Sequence, residues 1–504
     1  MLTACVSRLK DGLRYHNTMT RTYRLACGLM AAIIAFSSMA ANNLPELGDA
    51  AGDDLSLATE KRIGQQIMHE IRARDPSYLD DPEIESYLNQ LGGRLAGAST
   101  DPAIGFHFFA LDDPTINAFA MPGGFIGVHT GLILSAQSES ELAGVLAHEI
   151  SHVTQRHIAR QIQREKQLSI AAMLGMALAL LAARSNSQVA SAALVSAQAS
   201  TVQAQLAFSR DYEREADRSG FEIMNKAGMD VRGMSGFFER LQKATRLYEG
   251  NAPVYLRSHP LTGERISDMQ NRERSQRYRQ IPDSPDFHLV RAKLRAMKGH
   301  SSEAIKDFQS LVNDRKYPSE GAARYGLAVA LTRVKDWAGA EKEVQAARRS
   351  RLVSPMIDRL HAEIRIGLGD IEGGLALFRD TMARYPLNTG LMYAYGDVLV
   401  SLQRFADSLK LAEEQLRNYP QSVRLFNLMA RSYAALGRRA LQHRATAEAY
   451  ALQGQTGAAV EQLQLAQKAG DANFFDASVI DARLRELKKQ LAEEMKERRR
   501  ARPD

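Results

Sequence analysis

Cysteine is almost absent from this chain of 504 residues. The two cysteines, Cys5 and Cys27, both lie near the N-terminus. Two thiols are too few for a disulfide scaffold, and their position excludes thiolate ligands and thiol nucleophiles from the rest of the chain. Aromatic residues account for only 7% of the sequence, and it lacks the basic stripe with interleaved aromatics that is typical of nucleic-acid-binding proteins. We therefore expect no nucleic-acid partner.

A strong charge of one sign is also lacking. The formal net charge is +7, and residues 1–40 carry five basic residues against one acidic residue, which leaves 7 − 4 = +3 for the remainder. Hydrophobic residues make up 45% and charged residues 24%, an ordinary globular composition that excludes disordered and fibrous classes. At ~100–200 residues per domain, the length predicts two to four domains.

The N-terminus has the order of an export signal. Two arginines precede an apolar run over residues 25–36, which is too short to span a bilayer. Ser38 and Ala40 place small side chains at the −3 and −1 positions of a cut after Ala40. We predict a signal peptide over 1–40, cleaved near Ala40, and a cysteine-free mature chain in the periplasm, where association with the outer membrane stays open. An uncleaved membrane anchor is the alternative.

The second half of the chain repeats with a period of 34 residues. Pro386 and Pro420 are 34 positions apart. Gly369 and Gly437 are 68 positions apart, which is two periods. This pattern of helix–turn–helix units resembles tetratricopeptide repeats, with four to six degenerate copies over 287–480. Such an array presents a concave surface to partner segments; a non-repetitive helical bundle is the alternative.

A metal-binding motif lies on the helix predicted for residues 139–163. His148, Glu149 and His152 form the H-E-x-x-H pattern. The two histidines are four positions apart, so they project from one helix face and can hold one ion. Glu149 lies one position round the helix, where it can take a proton from a water molecule without binding the ion. The motif predicts a catalytic site with one zinc ion per chain.

A catalytic zinc ion needs a third protein ligand. The metzincin arrangement would place glycine at position 155 and histidine at position 158, where this chain has Gln155 and Ile158. His157 lies about 180° round the predicted helix from His148, because each residue turns a helix by about 100°. We therefore interpret His157 as a surface or capping histidine.

The third ligand is expected on a later helix, predicted over 208–226. Glu213 and Asp217 are four positions apart there and share one face. That spacing permits Glu213 to bind the metal and Asp217 to assist catalysis by hydrogen bonding to a ligand histidine. Glu215 faces another direction and is the rival for the ligand position.

These motifs together resemble the zincin family that includes the CAAX prenyl endopeptidases and the heat-shock membrane proteases. The family carries H-E-x-x-H followed by E-x-x-x-D, which this chain matches at 148–152 and 213–217. An N-A-x-x-x-P-G-G strand precedes the zinc helix in the family and is matched by 117–124. The resemblance implies a zinc endopeptidase.

Because it also has an export signal and trailing repeats, the chain most resembles those family members that act at the bacterial outer membrane. This closer resemblance implies that the protein degrades unfolded or stalled outer-membrane β-barrel proteins and has a chaperone-like activity. It also implies that the repeats bind the assembly machinery or the client. Two alternatives stay open. One is a periplasmic chaperone or scaffold with a latent or structural zinc site, and the other is an integral membrane protease.

The segment 119–128 is a candidate substrate-binding element. An exposed edge strand there would bind an extended substrate by β-augmentation. The residues that would make this contact are Phe119, Ala120, Phe125 and Ile126. An ordinary core hairpin is the alternative.

Two single residues and one stretch complete the candidates. His259, in a Ser-His-Pro element, would stabilise the oxyanion, occupy the fourth metal position or pack the domain junction. Arg265 would pair with a site carboxylate or form a structural salt bridge. The uncharged stretch 167–183 predicts a helical lid, a peripheral membrane contact or a buried hairpin.

The sequence thus predicts a mainly α-helical chain with a small β-sheet. Strands are expected over 106–111 and 125–134. The predicted order is a zinc metallopeptidase domain over 41–283, a tetratricopeptide-repeat α-solenoid over 284–480 and a charged helical tail over 481–504.

Overall fold

The computed structural model describes most of the chain beyond the predicted signal. The described residues are 56–101, 104–164, 210–247, 253–277, 280–350 and 352–500. The signal peptide, its cleavage near Ala40 and the uncharged stretch 167–183 therefore lie outside these residues. Within them, no helix has the length and hydropathy that a membrane crossing needs.

The N-terminal half is built from helices around a small sheet. Its elements in chain order are α1 (Leu57–Arg74), α2 (Pro82–Gly97), β1 (His107–Leu111), β2 (Ala118–Met121), β3 (Phe125–His129), α3 (Thr130–Ser135), α4 (Glu139–Thr154), α5 (His157–Arg164), α6 (Arg210–Lys226), α7 (Arg232–Leu247), α8 (Val254–Ser258) and α9 (Gly263–Arg274). The prediction of a mainly helical chain with a small sheet is confirmed.

Three strands form the sheet in this part of the chain, in the order β1–β3–β2. β1 runs parallel to β3, with His107 opposite Phe125. β2 runs antiparallel to β3, with Ala118 opposite Val128. Side chains of the sheet and of α4 share one hydrophobic core, so the sheet supports the helix that carries the H-E-x-x-H motif.

The strand β3 is shorter than the sequence predicted. The strand expected over 125–134 ends at His129, and the residues that follow form the helix α3. Leu132 and Ile133 on α3 are buried in the same core that a continuing strand would enter. A short apolar run does not distinguish the two structures, because both bury its side chains.

Phe125 and Ile126 do not lie on an edge strand. They belong to β3, which pairs with a strand on each side, and Ile126 is fully buried. Because their backbone groups are already paired within the sheet, this part of the edge-strand prediction is wrong. Phe119 and Ala120 lie on β2, which is an outer strand of the sheet as described, and both are partly exposed.

From residue 285 onward the chain is a ladder of helices. They are α10 (Pro285–Met297), α11 (Ser301–Asn313), α12 (Glu320–Arg333), α13 (Trp337–Arg349), α14 (Pro355–Gly367), α15 (Ile371–Arg384), α16 (Thr389–Ser401), α17 (Phe405–Leu416), α18 (Val423–Ala435), α19 (Arg439–Leu452), α20 (Thr456–Lys468) and α21 (Phe474–Arg500). These make six helix pairs in the described part of the chain. The helical-repeat architecture is confirmed, and the exact domain bounds stay predictions.

A left-handed backbone conformation recurs at the turn inside four of these pairs. The residues are Lys335 (φ 59°), Gly369 (φ 93°), Gln403 (φ 59°) and Gly437 (φ 71°), at intervals of 34 positions. Side chains crowd the following carbonyl in this conformation, so it favours glycine. The turn conformation therefore recurs with the repeat period even where the sequence supplies lysine or glutamine.

Gln403→Gly is expected to raise the free energy of unfolding by roughly 0.5–1 kcal/mol, because the left-handed strain of about 1–2 kcal/mol disappears while chain entropy opposes part of the gain. Gln403 is exposed and lies between two helices, so little packing is lost. Urea unfolding measures the change. The control Glu414→Gly, at an exposed position inside α17, should instead cost about 1 kcal/mol. A loss of stability in Gln403→Gly would show that the turn carries no such strain.

The repeats pack on the N-terminal half through α2. Glu83 accepts hydrogen bonds from Nζ of Lys293 at 2.7 Å and from Nε of Arg359 at 2.5 Å. Asp81 lies 2.6 Å from the same Lys293 nitrogen, and all four side chains are at most 11% exposed. Burial disfavours the carboxylate of Asp81, but Lys293 outweighs this effect and lowers its pKa. Two buried carboxylates and two buried cations thus compensate each other across this contact.

Candidate metal centre

Four metal-binding groups meet inside the N-terminal half. His148 and His152 come from α4, Glu213 comes from α6, and His259 follows α8. One ligand atom from each lies within 4.8 Å of the others. Each of the four side chains is at most 1% exposed. The predicted ligands are therefore brought together from three separate segments of the chain.

The capping of α4 fixes where its histidines lie. The hydroxyl of Ser138, the N-cap of this helix, accepts a hydrogen bond from the backbone N–H of Glu141. The apolar face of the helix is fully buried, with Leu142, Val145 and Leu146 all at 0% exposure. Helix start and apolar face together direct the two histidines into the interior.

Distances within the cluster suit a tetrahedral ion. Nε2 of His148 lies 3.0 Å from Nε2 of His152 and 3.4 Å from Oε2 of Glu213. Nδ1 of His259 lies 3.0 Å from Oε1 of Glu213 and 3.4 Å from Nε2 of His148. A tetrahedral zinc ion with bonds of about 2.0–2.1 Å separates its ligand atoms by about 3.4 Å. Imidazole nitrogens and carboxylate oxygens are also zinc's preferred ligands, so the residues fit this ion.

Asp217 and Arg265 hold two of these groups in place. Oδ1 of Asp217 lies 3.0 Å from Nδ1 of His148. Arg265 donates to both carboxylate oxygens of Asp217, at 2.6 and 2.8 Å, and its Nη1 lies 2.8 Å from Oε2 of Glu213. A neutral ring of His148 with its proton on Nδ1, the nitrogen that faces Asp217, leaves the Nε2 lone pair for a metal ion. Of the two roles open for Arg265, the structure favours pairing with site carboxylates.

Charge compensation keeps both carboxylates ionised. Burial alone would raise the pKa of Asp217, but its interactions with Arg265 and His148 together outweigh burial and lower it. Burial acts in the same direction on Glu213, and the charges of His259 and His148 hold its pKa well below the usual range. Both groups are anionic at neutral pH, which a zinc ligand and its hydrogen-bond partner require.

Glu149 lies beside the cluster without belonging to it. Its side chain is fully buried, and its Oε1 lies 3.5 Å from Nε2 of His259. Burial raises the pKa of Glu149, while the charges of His259 and His148 and the backbone of Ala120 on β2 oppose part of the rise. A carboxyl group with a raised pKa is suited to take up and release a proton near neutral pH.

His259 faces the cluster from the loop after α8. Its ring stacks on Tyr255, with centroids 4.6 Å apart and planes 27° apart. The stacking directs Nδ1 toward Glu213 and His148 and Nε2 toward Glu149. The structure thus places His259 among the donor groups.

The zinc helix ends earlier than predicted, and this changes the position of His157. α4 ends at Thr154, Arg156 has φ 54°, and α5 begins at His157. Arg156 donates two hydrogen bonds to Oε1 of Glu60, at 2.9 and 3.1 Å, across 96 positions of sequence. His157 is fully buried, and its Nδ1 lies 2.9 Å from Nδ1 of His152. Its interpretation as a surface histidine is wrong, because that inference extended one helix through the turn.

Glu215 does not join the donor groups. Its side chain is 38% exposed, and its Oε2 lies 3.3 Å from Nε2 of His157 and 3.0 Å from Nη1 of Arg160. Glu213 lies on a different face of α6, and it is the glutamate that the structure places in the cluster.

Zinc uptake by the metal-depleted chain is expected to strengthen as the pH rises from 7 to 9. Burial alone would lower the pKa of His148, but hydrogen bonds with Asp217 and Glu213 outweigh burial and raise it to about 9. Zinc binds the neutral imidazole and must displace this proton. The association constant should therefore rise close to tenfold per pH unit. Calorimetry in two buffers of different ionisation enthalpy should detect about one released proton at pH 7.

The same shift has the opposite effect on the stability of the metal-depleted chain. Because the folded pKa of His148 lies above its ordinary value of 6.5, its contribution is complete below pH 6.5 and is lost as the pH rises through 9. Asp217→Asn serves as the comparison, since it keeps an acceptor oxygen but removes the negative charge that helps to raise this pKa. Zinc uptake with the same affinity at pH 7 and pH 9 would contradict the predicted pH dependence of zinc binding.

An H-E-x-x-H helix, a buried glutamate from a later helix and a neighbouring carboxyl group with a raised pKa define a zincin-type metallopeptidase. The family model described as "Peptidase family M48" matches residues 79–273, which contain these features. The chain belongs to this family and is a zinc metallopeptidase. The resemblance inferred from its motifs is confirmed.

Several curated proteins are similar to this chain over most of its length. The "Putative beta-barrel assembly-enhancing protease" of Vibrio cholerae is 31% identical over 473 residues, which cover 93% of this chain and 97% of that protein. The "Beta-barrel assembly-enhancing protease" of Escherichia coli K12 is 30% identical, covering 90% and 93%. The "Mitochondrial metalloendopeptidase OMA1" of Schizosaccharomyces pombe is 29% identical over 223 residues, covering 43% and 62%.

Proposed function

We propose that this metallopeptidase works in the bacterial periplasm, where it degrades unfolded or stalled outer-membrane β-barrel proteins and assists others as a chaperone. The observation that carries the proposal is a buried zinc-type donor set with the carboxyl group of Glu149 beside it. Near-full-length similarity to proteins named for β-barrel assembly supports the choice of client.

In this proposal His148, His152 and Glu213 are the zinc ligands. Zinc, when bound, supplies a Lewis acid that polarises the scissile carbonyl and acidifies water. Asp217 fixes the tautomer of His148, and Arg265 donates to Asp217 and lies 2.8 Å from Oε2 of Glu213. Each of these side chains is nearly inaccessible to solvent, so the donor set is arranged before a substrate arrives.

Glu149 is the general base and then the general acid. Its carboxylate accepts a proton from the attacking water as the C–O bond forms at the scissile carbonyl. The protonated carboxyl then delivers that proton to the leaving amine as the C–N bond breaks. Burial raises the pKa of Glu149, which brings its proton affinity closer to the working pH and serves both transfers.

The outer strand β2 is the proposed substrate-binding edge. Phe119 and Ala120 lie on it, one of its sides is paired with β3, and both side chains are partly exposed. The backbone of Ala120 is close enough to influence the pKa of Glu149. An extended client that pairs with β2 would therefore have its backbone beside the proton acceptor.

The repeats are the proposed site for recruiting the client or the outer-membrane assembly machinery. Tetratricopeptide arrays bind partner segments on their concave face. Their contact with α2 through Glu83 and Asp81 joins this recruiting surface to the protease half. We also propose that the chain is exported by a signal cleaved near Ala40 and that residues 167–183 contact a membrane peripherally.

The mature zinc-loaded chain is expected to cleave a urea-unfolded outer-membrane β-barrel protein and to spare the same protein folded in detergent micelles. An unfolded chain offers extended segments for pairing with β2, whereas a closed barrel has no free strand edge. Gel analysis over time measures cleavage. Treatment with 1,10-phenanthroline should stop cleavage, and added zinc should restore it. Equal cleavage of both forms would contradict the proposed client selection.

A chaperone or scaffold with a latent zinc site is the second candidate function. The position of His259 favours it, since Nδ1 lies 3.0 Å from Glu213 and 3.4 Å from His148. A fourth protein ligand would fill the coordination position that a catalytic zinc ion keeps open. Replacement of His259 by alanine separates the two functions. Cleavage that appears only in this variant would assign the parent chain to the latent state.

A further inference from the structure

Each of the two proposed zinc histidines contacts a second polar group through its other ring nitrogen. For His148 that group is the carboxylate of Asp217, at 3.0 Å from Nδ1. For His152 it is another imidazole, because Nδ1 of His157 lies 2.9 Å from Nδ1 of His152. The function proposed above assigns no role to His157.

A carboxylate and an arginine lie at the far side of His157. Its Nε2 lies 3.3 Å from Oε2 of Glu215, and Nη1 of Arg160 lies 3.0 Å from the same oxygen. The arrangement parallels that at His148, where Arg265 holds Asp217. At His152 the imidazole of His157 lies between the ligand histidine and the carboxylate, so this chain of contacts has one more side chain than the chain at His148.

Only one assignment of protons in this chain of contacts permits metal binding. Nε2 of His152 faces His148 and Glu213 and must offer its lone pair to the ion. A neutral imidazole with a bare Nε2 carries its proton on Nδ1, which then donates to Nδ1 of His157. His157 in turn carries its proton on Nε2 and donates it to Glu215. The opposite assignment would place a proton on the ligand atom itself.

The ring of His157 is held in the plane that this requires. It stacks on Tyr212, with centroids 4.6 Å apart and planes 15° apart. The guanidinium of Arg160 lies over the same tyrosine, 4.7 Å from its centroid. His157 is fully buried, so it has little freedom to rotate away from His152.

We propose that His157, hydrogen-bonded between His152 and Glu215, is a positioning residue that fixes the tautomer and orientation of His152 for zinc binding. The inference rests on His152 being a zinc ligand, as proposed above. Partners of this kind typically change metal affinity by about 10–100-fold when removed.

Zinc affinity of matched variants tests the proposal by competition with a chromophoric chelator. His157→Phe keeps a flat ring on Tyr212 but removes the acceptor, and should raise the zinc dissociation constant by about 10–100-fold. His157→Gln supplies an acceptor oxygen again and should recover most of the affinity. Phe and Gln variants with equal dissociation constants, or a Phe variant within twofold of the parent, would overturn the proposal.

His361→Phe is the matched control. His361 is also buried and lies 3.2 Å from a glutamate, Glu341, but in the repeats. It should leave the zinc dissociation constant within twofold. The variant His152→Ala separates the two proposals. Unchanged zinc affinity in His152→Ala would refute the assignment of His152 as a ligand. Loss of zinc affinity in His152→Ala, with unchanged affinity in His157→Phe, would refute the positioning role of His157 alone.

Nitrogen-15 NMR of the zinc-loaded parent chain tests the proton assignment without any variant that risks misfolding. The coupling pattern should place the His152 proton on Nδ1 and the His157 proton on Nε2. A proton on Nδ1 of His157 would overturn the proposal, because this nitrogen could then not accept from His152.

Discussion

Glu149→Gln is expected to lower the rate of peptide-bond hydrolysis by at least about 100-fold while the chain keeps one zinc ion. Glutamine has nearly the same shape but cannot accept a proton, and loss of a positioned general base typically costs about 10²–10⁴-fold. The substitution leaves His148 and His152 intact, so the ligand set is unchanged. Cleavage of an unfolded barrel protein, together with zinc content by mass spectrometry, measures both quantities on the same preparation.

Glu264→Gln is a suitable control for this experiment. Its side chain is 72% exposed on α9, where it pairs with Arg214 at 3.7 Å. We expect cleavage within twofold of the parent, because an exposed ion pair contributes little. If Glu149→Gln binds zinc and still cleaves at the parent rate, another group must act as the base and the mechanism proposed here is wrong.

Glu83→Gln is expected to lower the free energy of unfolding by about 3 kcal/mol. Removing one partner of a buried ion pair typically costs about 3–5 kcal/mol, because the remaining charge stays desolvated. Here Lys293 and Arg359 would both lose a carboxylate, and each is only 10% exposed. We expect the lower end of the range, since Asp81 still lies 2.6 Å from Lys293. Urea unfolding of the mature chain measures the loss.

Glu363→Gln is the matched control for the packing of α2 on the repeats. Glu363 pairs with the same Arg359 but is 31% exposed, and this ion pair lies within α14. We expect a smaller loss than in Glu83→Gln, below about 1 kcal/mol, because the carboxylate of Glu363 is partly solvated and Arg359 keeps its contact with Glu83. Equal losses in the two variants would mean that the ion pairs across α2 do not hold the two halves together.

The central chemistry of the site was predictable because helix periodicity determines it locally. His148 and His152 are one turn apart, as are Glu213 and Asp217, so each pair shares a face wherever its helix lies. The preference for Glu213 over Glu215 follows from the same geometry. The repeat architecture was predictable for a similar reason, since each unit depends on contacts with its sequence neighbours.

The remaining parts of the site depend on contacts between distant segments. His157 was misplaced because the turn before it is stabilised by Arg156 and Glu60, 96 positions apart. Arg265 could not be assigned because its partner Asp217 lies 48 positions earlier in the chain. Helix and repeat periodicity cannot indicate such pairs, because the sequence between two residues does not reflect the distance between them in space.

The sequence by itself determined the type of chemistry, the metal, the predicted ligands and the helical class of both halves. The tertiary structure decided which strand is the outer one, that His259 faces the donor groups and that His157 contacts His152. It also decided that the protease half and the repeats meet through buried charges on α2. Helix faces and repeat periods are set by neighbouring residues, whereas strand order, loop position and packing of the two halves depend on which distant surfaces bury each other.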